Sequence, residues 1–361
     1  MKRFPLAALA AAAACAGGAH AQSSVTLFGV VDLAYTHLSS DAGRSRDLLQ
    51  GDGNTSSRLG FRGVEDLGGG LSAGFWIEAG FAPDSGAGAA SNSNNQSSGV
   101  AASSGGSQGL TFGRKSTVSL SGRWGEVRVG RDYVPTFLNL TTAMHPFGTN
   151  GVGSAGHLFY PVAFGGTTAR TSVRASNSVG YLLPSNLGGF YGQAMVALGE
   201  NASDAGATEH DGDYRGVRLG WRGRGFNTAI ATGKTDYATG DYTQSNFGVN
   251  YQWGPAQLMY LWGRNEVGTS RTTAQMVGTQ WQLGPGELRL AHTRLKAQGT
   301  ASDATHNAIG YVWSMSKRTA LYATYAAISN KGTGKAFDVG LGVNAPGGKS
   351  RGVETGVRHT F

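Results

Sequence analysis

Past its first 21 residues the chain has no cysteine; the single one, Cys15, sits in the opening apolar run. A mature chain starting at Gln22 therefore has no disulfide and no thiolate chemistry, and only its fold can hold it together. Long hydrophobic runs are also missing. Beyond the N-terminus nothing approaches the roughly 18 uninterrupted apolar residues that a spanning helix needs. Charge is scarce at 14%, and helix-period patterns do not recur. His145, His157, His292, His306 and His359 are scattered without ligand spacing, so neither a metal site nor a cofactor is expected. The net charge of +8 is spread without Lys/Arg clusters, which argues against nucleic acid as a partner.

The N-terminus carries an export signal. Met1–Ala21 has Lys2 and Arg3, an apolar run from Phe4 to Ala16, and small residues ending Ala19-His20-Ala21. Cleavage is expected after Ala21. A lipoprotein acceptor at Cys15 is disfavoured because Ala12, not Leu, stands three residues upstream. With Lys2 and Arg3 removed, 28 basic residues face 22 acidic ones.

What the chain has is glycine, 59 in all, and a period of two. In Val25–His37, Val25, Leu27, Val31, Leu33 and Tyr35 alternate with Thr26, Asp32, Ala34 and Thr36. In Thr319–Asn330, Leu321, Ala323, Tyr325 and Ala327 share a face. Asp213–Arg222 puts Tyr214, Val217, Leu219 and Trp221 near one face if the pattern slips at Gly216. The last eleven residues, "RGVETGVRHTF", place Val353, Thr355, Val357, His359 and Phe361 on one face and Gly352, Glu354, Gly356, Arg358 and Thr360 on the other. Segments of about ten residues suit strands that cross a bilayer at a tilt.

Connections alternate in length. Short turns fall at Leu67–Gly70, Gly122–Gly125, Pro184–Gly189, Arg222–Gly225, Gly254–Pro255, Gly284–Gly286 and Met315–Arg318. Longer polar loops fall at Ser39–Thr55, Pro83–Gln108, Asn201–Gly212, Thr235–Thr243, Val267–Arg271, Gln298–Asp303 and Asn330–Gly348, and the longest runs from Asp132 to about Val173. Seven turns join fourteen strands, and strands at Val25 and Val353 make sixteen. The expected fold is all-β, a single transmembrane antiparallel barrel over residues 22–361 with the long loop folded into the pore. Closure follows from the bilayer, where every backbone amide must be paired, and it removes both edges. A secreted sandwich or β-helix fits less well, because its outer faces would be more polar. Sixteen strands enclose a lumen too wide for side chains to fill.

At this point the chain resembles the Gram-negative general porins, trimeric sixteen-stranded proteins of the outer membrane. The resemblance rests on Ser23–Tyr35, Ser56–Phe81, Gly113–Thr136, Asn177–Phe190, Ser316–Asn330 and the terminal "GVRHTF", in family order. It implies a homotrimer in outer-membrane lipid and lipopolysaccharide, and a C-terminal Phe361 read by the barrel-assembly machinery. It also implies that residues 132–173 narrow the pore, with His145, Pro146, Phe147 and Gly148 as the loop-tip motif. Many cation-preferring relatives carry carboxylates there; here Pro146 stands in the acid's place, and no Asp or Glu occurs from Tyr133 to Gly199. Arg58, Arg114 and Arg174 match the family's wall arginines, with Arg62, Arg131, Arg170, Lys115 and Glu78 as further candidates. A basic wall without facing acids would concentrate small anionic solutes. The alternative is that these arginines pair with Glu78 or Asp32 and only brace the wall.

Other strings carry less. Gly151–Gly156, "GVGSAG", spells a dinucleotide fingerprint without a strand before it or a helix after it, and Ser314–Lys317, "SMSK", falls in a short turn. Trp76 and Trp313 are expected in an aromatic girdle. Three functions remain open: a non-specific anion-preferring channel, a channel specific for a sugar or organic anion with Phe137, Phe147, Phe159, Tyr160 or Phe164 as a stacking track, and a hydrolase. For the last no nucleophile, base and orienting group assemble.

Overall fold

The structure, a computed structural model, describes residues 24–361 apart from 42, 90–94, 97–108, 142, 161–162, 165–166, 169–170, 299–301 and 344. The expected signal segment lies outside the described residues. Sixteen strands follow one another: β1 (Ser24–Ser40), β2 (Arg44–Gly51, resuming as Arg58–Gly68), β3 (Leu71–Gly80), β4 (Lys115–Gly122), β5 (Gly125–Tyr133), β6 (Arg174–Leu182), β7 (Phe190–Ala197) and β8 (Tyr214–Gly223), then β9 (Phe226–Thr235), β10 (Tyr242–Trp253), β11 (Ala256–Val267), β12 (Ser270–Leu283), β13 (Gly286–Gln298), β14 (Ala304–Ser314), β15 (Thr319–Asn330) and β16 (Lys349–Thr360). Each pairs antiparallel with its sequence neighbours. β16 pairs back onto β1 from Val30↔Thr360 to Ser40↔Ser350, so the sheet closes.

Phe361 is tied into that seam. Its N–H donates to the Gly29 carbonyl and its own carbonyl accepts the Gly29 N–H, both at 3.1 Å. The ring lies over Gly29, where a Cβ would come within 2.3 Å of it, and faces outward. Nothing frays here because the last residue completes the closing ladder.

Alternation sorts the two faces as the sequence suggests. On β1, Val25, Leu27, Val31 and Tyr35 face out, while Asp32, Ala34 and Thr36 are buried toward the lumen. Trp124, Phe226, Trp253, Trp281 and Trp313 are exposed beside the short turns, forming an aromatic belt at that end. Four expectations fail. Ser39–Thr55 is not a loop throughout, since Arg44–Gly51 extends β2 in register against Leu33–Ser40. Val267–Arg271 shrinks to a two-residue turn between β11 and β12, with Gly268 at φ +56°. β8 has no slip, because Tyr214 turns inward and its ring lies across Gly216 and Gly233. Trp76 faces the lumen, donating from Nε1 to Glu78 at 3.3 Å.

The long loop leaves β5 and lies along the inner wall, carrying a single helical turn at Phe137–Leu140 and another at Gly156–Phe159. The second follows "GVGSAG" after all, but four residues are too short to cradle a phosphate. Its bed is a row of wall glycines. A Cβ on Gly248 would lie 2.8 Å from Met144, on Gly263 2.7 Å from Phe159, on Gly278 2.7 Å from Pro146, on Gly310 3.0 Å from Phe147, and on Gly352 2.6 Å from Val152. Leu140, Met144, Phe147, Leu158 and Phe159 bury themselves against Met259, Leu261 and Met276 of β11 and β12. Wall amides satisfy the loop's carbonyls: Asn246 donates to Thr136 at 2.8 Å, Gln280 to Pro146 at 2.9 Å and Asn265 to Phe159 at 2.9 Å, and Asn250 donates to Ala143. Unpaired, such buried carbonyls would each cost about 1–3 kcal/mol.

Adding a side chain to this bed should unseat the loop without opening the barrel. Gly263→Val removes the space for Phe159, and overpacking of this kind costs about 1–3 kcal/mol. The purified barrel should keep its strand content while limited proteolysis within residues 136–159 accelerates at least tenfold. Cleavage at the wild-type rate would contradict the glycine bed.

Candidate functional site

Where the loop crosses the lumen it faces the wall formed by β2 to β6, leaving a recess of about 340 Å³. Arg58, Glu78, Arg114, Tyr133 and Arg174 line the wall side; Leu138, Thr141, Gly148, Thr149 and Asn150 line the loop side. The far end is fastened by Ser56 on the wall, whose hydroxyl donates to Asn150 Oδ1 at 2.6 Å. The three expected arginines thus meet in one place.

Their order comes from one carboxylate and one phenol. Arg114 Nε donates to Glu78 Oε1 at 2.6 Å, and Arg58 Nε stands 3.9 Å from the same oxygen. Tyr133 accepts two guanidinium N–H bonds through its hydroxyl, from Arg114 and Arg174, each at 2.9 Å. The Arg174 guanidinium also lies 4.5 Å above the Tyr133 ring, a cation–π contact, and its Nε donates to the Arg114 carbonyl at 2.9 Å. Tyr133 stacks on Phe137 at 5.3 Å. The guanidinium groups are therefore held by packing rather than free to swing.

The loop opposite carries no acid after Asp132, but on the wall itself the alternative pairing with Glu78 is formed. Glu78 is buried among the arginines and is their direct counter-ion. Asp52, in the break of β2, accepts the Ser57 N–H at 2.6 Å. Asp32 accepts from Tyr322 at 2.5 Å and from the backbone N–H groups of Asn54 and Thr55, which border the recess. Three guanidinium groups against one carboxylate line the recess, an excess of positive charge, and the loop opposite supplies no acid. Beside them Lys115 and Arg128 are balanced by Asp132 and Glu126, at 2.8 to 3.2 Å.

Other candidates separate. Arg62 points into the lumen nearer the short turns, over Phe28 and Trp76 at 5.5 and 5.2 Å. Arg131 lies at an irregularity between β5 and β6, donating to the Gly113 carbonyl at 2.6 Å and Ser176 Oγ at 2.7 Å, which makes it a brace. Arg170 lies outside the described residues. Of the tip motif only Gly148 lines the recess; His145 and Phe147 are buried behind the loop, and Pro146 faces Gly278. The alternative aromatic track does not form: Phe147 and Phe159 are buried in packing, and of the loop's phenylalanines with described side chains only Phe137 borders the recess. The side chain of Phe164 lies outside the described residues. Sequence reasoning missed Tyr133, whose signal is its position two residues after Arg131 where the strand gives way to the loop.

Behind the loop three histidines gather. His157 and His306 stand edge to face at 5.4 Å, His306 Nε2 lies 3.0 Å from the Val152 carbonyl, and His157 Nε2 lies 3.2 Å from that of Gly151. His145 is fully buried, its Nδ1 accepting the Phe147 N–H at 3.3 Å. Burial, with help from His157, depresses its pKa to about 3.

Comparison with known proteins agrees with this geometry. The family model described as Gram-negative porin matches residues 8–333. The chain is 36% identical to outer membrane porin protein 32 of Delftia acidovorans, over 96% of this chain and 97% of that protein. It is 27% identical to an outer membrane porin protein of Bordetella pertussis over the full length of both. Among solved structures, the anion-selective porin from Comamonas acidovorans superposes with a TM-score of 0.80 at 34% identity, covering 94% of this chain and all of that one. A closed sixteen-stranded wall, an inserted loop and these likenesses together place the chain in the Gram-negative porin family, as an integral β-barrel protein of the outer membrane.

Proposed function

We propose that this porin's channel is a non-specific path for small hydrophilic solutes that favours anions, with Arg58, Arg114 and Arg174 as the attractive side of its constriction and residues 132–173 as the other. The observation that carries this reading is the fixed arginine trio on one wall facing a loop with no acid from Tyr133 onward. Each uncompensated positive charge contributes about 4 kcal/mol at 4 Å and an effective dielectric of 20. Within the Debye length of about 8–10 Å at physiological salt, much of that survives screening. The similar porin from Comamonas acidovorans is described as anion-selective, which supports the same direction. A sugar-specific channel is disfavoured because the loop's rings are packed away. A catalyst is disfavoured because family relatives are porins. We further infer that Met1–Ala21 is cleaved on export, leaving one barrel domain from Gln22, that three copies associate, and that Phe361 serves the assembly machinery.

The reversal potential of the reconstituted protein across a KCl gradient tests the constriction. Wild type should prefer chloride in 0.1 M salt and lose most of that preference near 1 M, where the Debye length falls to about 3 Å. Arg114→Gln with Arg174→Gln should reduce the chloride-to-potassium permeability ratio several-fold. A cation-preferring wild type would refute the assignment.

Acid should loosen the loop. His145 titrates near 3 when buried and near 6.5 when exposed, so the detached loop binds the extra proton. Loop attachment is then complete above about pH 6.5 and weakens as pH falls toward 3. Single-channel records should gain reversible conductance fluctuations between pH 6 and 4, and His145→Gln should blunt them. Steady currents through pH 4 would count against it.

A further inference from the structure

One pair of residues at the constriction carries chemistry that passive diffusion does not use. Asn150 and Gly151 form the single Asn–Gly step in the chain, and they stand where the inserted loop meets Ser56 on the far wall. Asparagine before glycine can lose its side-chain amide without an enzyme. The next backbone nitrogen attacks the side-chain carbonyl carbon, and glycine has no Cβ to obstruct the approach. The fold itself demands glycine here. Gly151 sits at φ +65°, and a Cβ on it would lie 2.1 Å from the Gly53 carbonyl oxygen. By contrast, Asn246, Asn250 and Asn265 lie within strands, are followed by Phe247, Tyr251 and Glu266, and spend their amides on loop carbonyls.

Local geometry favours the reaction at this step. Asn150 and Gly151 lie outside helix and strand, and among the described residues nothing accepts the Gly151 N–H. The attacking nitrogen is therefore not tied into a ladder. Ser56 donates its hydroxyl to Asn150 Oδ1 at 2.6 Å, where it polarises the side-chain carbonyl and stabilises the oxyanion that forms as nitrogen adds. On the other side of the step the Gly151 carbonyl accepts the Ser154 N–H at 3.2 Å and lies 3.2 Å from His157 Nε2. Asn150 also borders the recess, through which ammonia can depart and water arrive.

We propose that Asn150 is a site of spontaneous deamidation, which resets the charge of the constriction as the protein ages. The Gly151 nitrogen gives its proton to solvent base and bonds to Asn150 Cγ. The Cγ–Nδ2 bond breaks and ammonia leaves with a proton from solvent, closing a succinimide. Water then opens the ring at either carbonyl, giving aspartate or its backbone-isomerised form. The balance is water in and ammonia out, with no oxidant or reductant. The product places a carboxylate on the loop side of the recess, where the loop has no acid from Tyr133 onward. Arg58, Arg114 and Arg174 then face an acid across the recess as well as Glu78 beside them. That cancels part of the field that draws anions, so old channels prefer anions less than new ones. The change in selectivity rests on the proposed anion preference; the chemical conversion does not.

Ageing the purified barrel at mildly alkaline pH, then weighing the peptide that spans Asn150 for the change from amide to acid, tests it. A sample kept unfolded in guanidinium gives the rate of the same step without the fold. The folded barrel should convert at least as fast as the unfolded chain, and Ser56→Ala should slow the folded rate several-fold. Reversal potentials across a KCl gradient, read on the same samples, should lose chloride preference in step with conversion and approach that of fresh Asn150→Asp. Asn150→Gln should not drift. An Asn150 that persists in the folded barrel while the unfolded chain converts, a rate indifferent to Ser56, or a selectivity that stays fixed as conversion proceeds would each overturn it. A fresh channel without anion preference would instead refute the channel's assignment, and the mass readings alone would still decide the modification.

Discussion

The lumen of this barrel is organised by a missing row of side chains. Gly248, Gly263, Gly278, Gly310 and Gly352 give up their Cβ atoms on five strands of one wall, and the inserted loop fills the space they leave. Apolar contact alone would leave the loop's backbone carbonyls stranded. Asn246, Asn250, Asn265 and Gln280 meet them from the same strands. Glycine supplies the shape and the carboxamides supply the polarity, so the loop has one seat. Placed there, it crosses the lumen to Ser56 and leaves, between itself and the wall, the recess in which Arg58, Arg114 and Arg174 stand.

The arginine wall is built on the same economy of charge. Tyr133, at the root of the loop, binds Arg114 and Arg174 through one hydroxyl, and Glu78 binds Arg114 and approaches Arg58. A wall of fully paired arginines would brace the barrel and attract nothing. A wall of bare arginines would repel itself apart. An excess of positive charge, held by stacking and hydrogen bonds, leaves a field for solutes without leaving the side chains disordered.

Much of this was legible in the sequence because lipid imposes a strict rule. Alternation at Val25–His37 and Thr319–Asn330, short turns on one side and the closing Phe361 all follow from pairing every amide in a bilayer. Arg44–Gly51 was not legible, since "RSRDLLQG" has the polarity of a loop and only its register with β1 makes it strand. Tyr214 misled because an aromatic ring in a barrel wall suits either face, and the glycines that admit it inward lie on two strands. Trp76 misled for a similar reason, as its partners Glu78, Arg62 and Lys115 converge only in the folded wall. The arginine trio was found through motif resemblance; its counter-ion Glu78 was visible as an alternative, but its burial was not. The glycine bed was invisible, because a glycine in a strand pattern reports only that a side chain is absent, not what lies in its place.

The central claim is that the loop crosses the lumen and reaches Ser56 on the far wall. The lack of cysteine beyond Cys15 makes this directly measurable. In a Ser56→Cys, Asn150→Cys variant, oxidation of the assembled barrel should consume both thiols while single-channel conductance stays at the wild-type value, because the bond only fixes a contact already made at 2.6 Å. Persistent free thiols, or a conductance that collapses when the bond forms, would mean that the loop does not rest where this account places it.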